Sequence, residues 1–240
     1  MELINILAMQ NKKGMFFTIL VIVILTLFFL SYTLLSGLQE RKTVQKRIET
    51  MNSFLFSVEE DLQRQLFISG FRIIFLMEKR IVEKPGYIIN VESTFQEVFF
   101  NGTIEGYSDS EIEALMQGAK FSDIKNNIRA KANKINTNIS FSNPQINISQ
   151  EDPWNVKVTF ISNFVMEDLN DLASWNRTEL IIAFVPIQGF QDPIYFLSEG
   201  VSININKTVY NSFDIFNLED HATNTYYINN SDAPSFLDRL

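Results

Sequence analysis

The residues best suited to covalent chemistry in this sequence are asparagines. Asn101, Asn138, Asn147, Asn176, Asn206 and Asn229 each begin an Asn-x-Ser/Thr triplet with no proline between. That triplet is the acceptor signal for an N-linked glycan, so six of them point to a chain exposed on an exterior face. Other reactive groups are sparse. There is no Cys, which removes disulfides, thiolate catalysis and Cys-ligated metals. The single His, His221, needs further ligands converging from elsewhere to hold a metal, and a surface loop accounts for it. Acidic groups recur at Glu59-Glu60-Asp61, at Asp109, Glu111 and Glu113, and at Glu167, Asp168 and Asp171. Calcium favours such oxygen clusters, but none has the spacing of a calcium-binding loop, and solvated helix faces and turns explain them. No G-x-S-x-G elbow and no phosphate-cradling loop occurs among the nine Gly. We therefore assign no catalytic residue, no cofactor and no metal, and expect no enzymatic activity.

Charge and composition narrow the partners. The net charge of −8 opposes nucleic-acid binding, which needs a basic surface. Hydrophobic residues make up 46% of the chain and Phe alone numbers 22, enough for a real core beyond any membrane segment. Trp154, Trp175, Phe190, Tyr195, Tyr226 and Tyr227 fall in or beside expected loops. Exposed rings there could bind glycans or partner subunits, although core and turn packing is the default.

The element that positions everything else is the N-terminal helix. Met15 to Leu35 carries no charge, no Gly and no Pro over 21 residues. At about 1.5 Å per residue it spans roughly 30 Å, the thickness of the bilayer hydrocarbon. Gly14 and Gly37 bracket it, and Tyr32 lies near one interface. Lys12 and Lys13 precede this span, while Arg41, Lys42, Lys46 and Arg47 follow it. Counting cations alone places the C-terminal domain inside; the glycan acceptors place it outside.

The helical pattern continues past the span. Ile48, Met51, Leu55, Val58 and Leu62 recur at spacings of three and four, and Leu66, Ile73, Met77 and Ile81 extend the stripe. Gly70 either bends this helix or permits a close neighbour, and Pro85-Gly86 ends it. Tyr87 to Glu92 is a short strand candidate, and Phe95 to Phe100 fits either a strand or a helix. Ser110, with Glu113 three residues later, has capping-box spacing for a helix to about Ile135, divided near Ser122-Asp123. From Asn136 the period changes to two. Ile139 and Phe141, Ile146 and Ile148, Val156, Val158 and Phe160, and Leu180, Ile182 and Phe184 mark antiparallel strands with one face buried. Asp152-Pro153 makes a turn, Glu167 to Trp175 is an acidic connection, and Val201, Ile203 and Ile205 suggest one more strand. Asp214 to Leu240 shows no period. The expected fold is α+β: a long transmembrane and amphipathic helix packed on an antiparallel sheet.

Asn11-Lys12-Lys13-Gly14 runs directly into Met15-Phe16-Phe17. This short basic leader ending in Gly resembles the processing site of archaeal type IV pilins and related surface-filament proteins. Pro186-Ile187-Gln188-Gly189-Phe190-Gln191-Asp192-Pro193-Ile194-Tyr195 is similar to a turn of archaeal membrane-anchored proteins with pilin-like N-termini, and Ala233 to Leu240 is similar to another of their segments. The resemblance implies cutting after Gly14 by a prepilin-type peptidase on the cytoplasmic side. Met15 then becomes the mature N-terminus, and the domain lies outside. Ile19 stands at the fifth mature position, where many pilins carry Glu, so a solitary or pseudopilin-like subunit fits alongside a filament subunit. The resulting plan is a cytoplasmic leader over 1–14, a transmembrane helix over 15–36, an amphipathic stalk over 37–84 and an extracytoplasmic domain over 85–240. The expected partners are the lipid bilayer, the peptidase, and other copies or pilin-like subunits met through the helix. A membrane-tethered ligand-binding or sensor domain working with a separate partner is the alternative.

Overall fold

A computed structural model describes residues 2–105, 107–200, 202–207, 226–227 and 234–240. The chain forms two compact units, Met1–Asn52 and Ser53–Leu240. Helix α1 covers Glu2–Glu83 and contributes to both.

In the first unit, α1 is long and apolar enough to cross a membrane. Its large apolar side chains from Met15 to Leu35 are all exposed. The three threonine hydroxyls there are satisfied internally. Thr18, Thr26 and Thr33 donate to the carbonyl oxygens of Met15, Val23 and Leu30 at 2.8, 2.8 and 2.9 Å. Such back-bonding removes the cost of carrying a lone hydroxyl into hydrocarbon.

The second unit is built on the remainder of α1. Leu55, Val58, Leu62, Leu66, Ile73, Met77 and Ile81 are buried along one face, as their spacing predicts. Each such side chain contributes about 1.5–3 kcal/mol when fully buried. Their platform is a three-stranded antiparallel sheet in the order β1-β2-β3, with β1 at Thr137–Asp152, β2 at Asn155–Asp168 and β3 at Ser174–Pro186. Val156, Val158, Phe160, Phe164 and Met166 of β2 point inward at a strict period of two. In β1 the phase switches from Ile139 to Ile146, and the cause is a register irregularity between Ser142 and Gln145. Asn143 there has φ of 49°, and Pro144 cannot donate to a ladder. Gly70 resolves the choice left open by the sequence. Helix α1 runs through it unbroken, and a Cβ at Gly70 would stand 3.0 Å from Cγ2 of both Val158 and Val185. The absent side chain lets the helix settle onto β2 and β3.

Three shorter helices lie between α1 and the sheet in sequence, and the first and third of them pack on the sheet. They are α2 at Val91–Asn101, α3 at Asp109–Met116 and α4 at Phe121–Asn133. Here the structure corrects the sequence. Tyr87 to Glu92 is not a strand: Asn90 caps α2 by accepting the Ser93 N–H at 2.8 Å, which draws Val91 and Glu92 into a helical turn. Phe95 to Phe100 is therefore helical. The capping box belongs to Ser108 and Glu111, two residues before the expected Ser110 and Glu113 pair. The division between α3 and α4 falls at Gln117 to Lys120, before Ser122-Asp123, where Gly118 turns the chain with φ of 76°. Phe99, Phe121, Phe160, Phe141 and Phe164 then form one run of ring contacts from α2 and α4 to the sheet, with centroids 4.8 to 6.0 Å apart.

After β3 the chain turns at Gln188-Gly189 into α5 at Pro193–Glu199. Ile203 to Ile205 does run as extended chain, antiparallel to Phe190–Asp192; Val201 lies outside the described residues. Strand β4, Asn206–Lys207, pairs in parallel with β5, Tyr226–Tyr227. A last short helix, α6 at Phe236–Arg239, was not foreseen from the pattern.

Candidate functional site

Several of the recurring acidic groups pair with or cap other parts of the fold. Glu59 of α1 pairs with Arg177 of β3 at 2.8 Å. Asp61 pairs with Lys131 of α4 at 2.7 Å and with Arg64. Burial alone would raise the Asp61 carboxyl, but the hydrogen bonds and charges of Lys131 and Arg64 outweigh it and hold it below its usual range. Glu111 caps α3, and Glu113 pairs with Lys120. Asp168 accepts the N–H groups of Asn170 and Leu172 at 3.1 and 3.3 Å and so shapes the β2–β3 turn. Among the described residues no three potential metal ligands gather. His221 lies outside the described residues.

The two short segments after β3 meet. Asp192 caps α5 by accepting the Ile194 N–H at 3.1 Å, with Pro193 at the first helical position, and its other oxygen pairs with Arg239 of α6. Phe190, expected in a loop, is buried: its ring packs on Phe71 of α1 and Phe236 of α6, with centroids at 5.1 and 6.1 Å. Between these layers Glu78 of α1 is buried and accepts the Gln191 N–H. Burial pushes its carboxyl up to about 7, and the one backbone donor offsets only part of that. These groups form a structural latch that joins α1 to the chain after β3. Trp154 and Trp175 are half-buried and Tyr195 is exposed, while the side chains of Tyr226 and Tyr227 lie outside the described residues.

Two surfaces remain. The first is α1 from Met15 to Leu35, apolar around its whole circumference and directly preceded by Lys12, Lys13 and Gly14, whose backbone continues the helix. The second is the outer face of the sheet. Strand register places Asn138 opposite Glu167, Asn147 opposite Thr159 and Asn176 opposite Val165. All three asparagines therefore project from this outer face, and all three are exposed. Asn101, at the end of α2, and Asn206 in β4 are exposed too, whereas Asn229 lies outside the described residues. On the same outer face Leu180 and Phe184 of β3 are 57% and 56% exposed. The sequence counted these two as core positions, because alternation alone does not say which parity faces inward. No known protein family, curated protein or solved structure matches the chain. What it does must be argued from these surfaces.

A shallow cleft of about 410 Å³ opens beside the α1–α2 loop, lined by Tyr87, Ile89, Glu92, Ile148 and Leu237. A small apolar gap of about 10 Å³ lies between α1, α2, α4 and the sheet.

Proposed function

We propose that the chain is a non-enzymatic structural subunit, anchored by one membrane-spanning helix with its α+β domain outside the cytoplasm, in the manner of archaeal type IV pilins and pseudopilins. The single observation that carries this reading is the division of labour along α1. Residues 15–35 expose an unbroken apolar surface, and residues 53–83 bury a stripe against an antiparallel sheet. A basic leader ending in Gly14 stands immediately before the apolar run. Exposed glycan acceptors support an exterior domain: Asn138, Asn147 and Asn176 share one accessible sheet face. In this reading the mechanism is physical. The apolar helix holds the subunit in the bilayer or bundles with other copies, and the sheet domain makes the outward contacts.

The test is the N-terminus of the full chain expressed with and without an archaeal prepilin-type peptidase. Intact mass and terminal sequencing should give a mature chain beginning at Met15 only when the peptidase is present. A chain uncut under both conditions would remove the main support for this reading and leave the sidedness of the domain open. The cleft beside the α1–α2 loop favours a second reading, a tethered ligand-binding domain that works with a separate partner. An assembling subunit should self-associate through the helix, and a chain that stays monomeric in membranes would turn the choice toward that second reading.

A further inference from the structure

The cations that follow the span oppose the exterior orientation by simple counting, and their geometry explains why they are there. Arg41, Lys42 and Lys46 are exposed on α1, with Arg47 beside them half-buried. Only Glu40 and Glu49 offset them between Ser36 and Thr50, in a chain whose overall charge is −8. At 100° per residue these four cations are spread around roughly two-thirds of the helix circumference. They surround the helix and do not form a stripe suited to one protein partner.

Their depth is equally telling. If the hydrocarbon ends near Leu35, a rise of 1.5 Å per residue puts the Arg41 Cα about 9 Å and the Lys46 Cα about 16 Å beyond it. The headgroup layer occupies only about 5–7 Å on each side. Side chains on a helix lean toward its N-terminus, which for these residues is the direction of the bilayer. Long Lys and Arg side chains therefore reach back by several ångströms, into or within one Debye length of the phosphate plane.

We propose that Arg41, Lys42 and Lys46, joined by Arg47, form a basic collar that binds the phosphate groups of acidic phospholipids in the leaflet where the span's C-terminal end emerges. This rests on the membrane-anchored reading but not on pilin-like processing. The collar sets the depth of the helix and selects anionic lipid around it, and its attraction weakens as salt rises.

The experiment reconstitutes the full chain into phosphatidylcholine vesicles and compares the affinity of spin-labelled phosphatidylglycerol with that of spin-labelled phosphatidylcholine. The wild-type chain should prefer phosphatidylglycerol. The triple variant Arg41→Gln, Lys42→Gln, Lys46→Gln should lose about tenfold or more of that preference, since each cation near the surface changes affinity by about fivefold. The variant Arg41→Lys, Lys42→Arg, Lys46→Arg, which keeps the charges, should retain it. Equal binding of both lipids by the wild-type chain, or an unchanged preference in the triple Gln variant, overturns the collar while leaving the anchor intact. Loss of the preference on adding inorganic phosphate at constant ionic strength would assign the site to free phosphate and also overturn it. A chain that does not enter the vesicles would overturn the anchored reading itself, and the collar with it.

Discussion

Helix α1 contains two regions of equal regularity and opposite environment. Residues 15–35 are apolar in every direction, and their large side chains are exposed; Leu25, for instance, is 61% exposed. Residues 53–83 carry charges between their apolar positions, and Leu62 is 4% exposed. The first region has more hydrophobic surface and the second buries more of it within the protein. Total hydrophobicity thus marks the part of a helix suited to lipid, and periodicity marks the part suited to protein. The same division accounts for the contrast between Gly37 and Gly70. At Gly37 nothing lies within 4 Å of where a Cβ would stand, whereas at Gly70 two valines of the sheet are already at 3.0 Å.

Matched substitutions in the two regions give the largest expected contrast. Leu62→Ala should destabilise the second unit by about 2–5 kcal/mol, the usual result of truncating a buried leucine. Leu25→Ala should leave its unfolding within about 0.5 kcal/mol of wild type. Chemical denaturation of the full chain in mild detergent, followed through the Trp154 and Trp175 fluorescence, reads both. Equal effects would mean that the apolar segment is part of the folded core, and the comparison would collapse.

The glycines sharpen the same point at a smaller scale. Gly70→Leu should cost about 1–3 kcal/mol, because the helix must lift from Val158 and Val185. Gly37→Ala should be neutral or should stabilise the helix by up to about 1 kcal/mol, since it adds helix propensity without a clash. A stabilising Gly70→Leu in the same melt would show that α1 does not sit against β2 and β3.

The smallest expected effect concerns Glu78. Its folded carboxyl titrates near 7 because burial opposes the charge, above the ordinary carboxylate range. The folded state therefore holds this proton where the unfolded chain releases it. The sign follows: the stability contributed by the neutral acid is complete below the ordinary Glu value and is lost as pH rises toward 7. On the order of 1–2 kcal/mol should disappear between pH 5 and pH 7. Glu78→Gln keeps an acceptor for the Gln191 N–H but cannot ionise, so its stability should be flatter over that window. A wild-type profile that rises across the window would remove the latch from consideration as a titrating element.

Much of the secondary structure was legible in advance, and the failures have physical causes. The long helix, its stop at Pro85-Gly86 and the three strands follow from periods of 3.6 and 2, which survive any tertiary arrangement. Tyr87 to Glu92 misled because β-branched and aromatic residues occur in loops as well as strands, and the Asn90 cap was the signal that could have decided it. Ser108 and Ser110 both offer a capping hydroxyl, and which one caps depends on where the chain enters the helix. The Asn-x-Ser/Thr triplets were visible in the sequence, but the gathering of Asn138, Asn147 and Asn176 on one face came from strand register.

The sequence alone determined the local matters: a segment too apolar to be left in water, a stripe in need of a platform, and strands with one buried face. These are properties of the side chains and of backbone geometry, and they hold before anything is packed. Only the tertiary structure decided which parity of β3 faces outward, leaving Leu180, Phe184 and Asn176 exposed. It alone brought Asp192 to Arg239 and Glu78 to Gln191, and made Gly70 a contact point. Those outcomes depend on partners far apart in the chain, whose proximity is set by the packing of the whole unit and not by any local pattern.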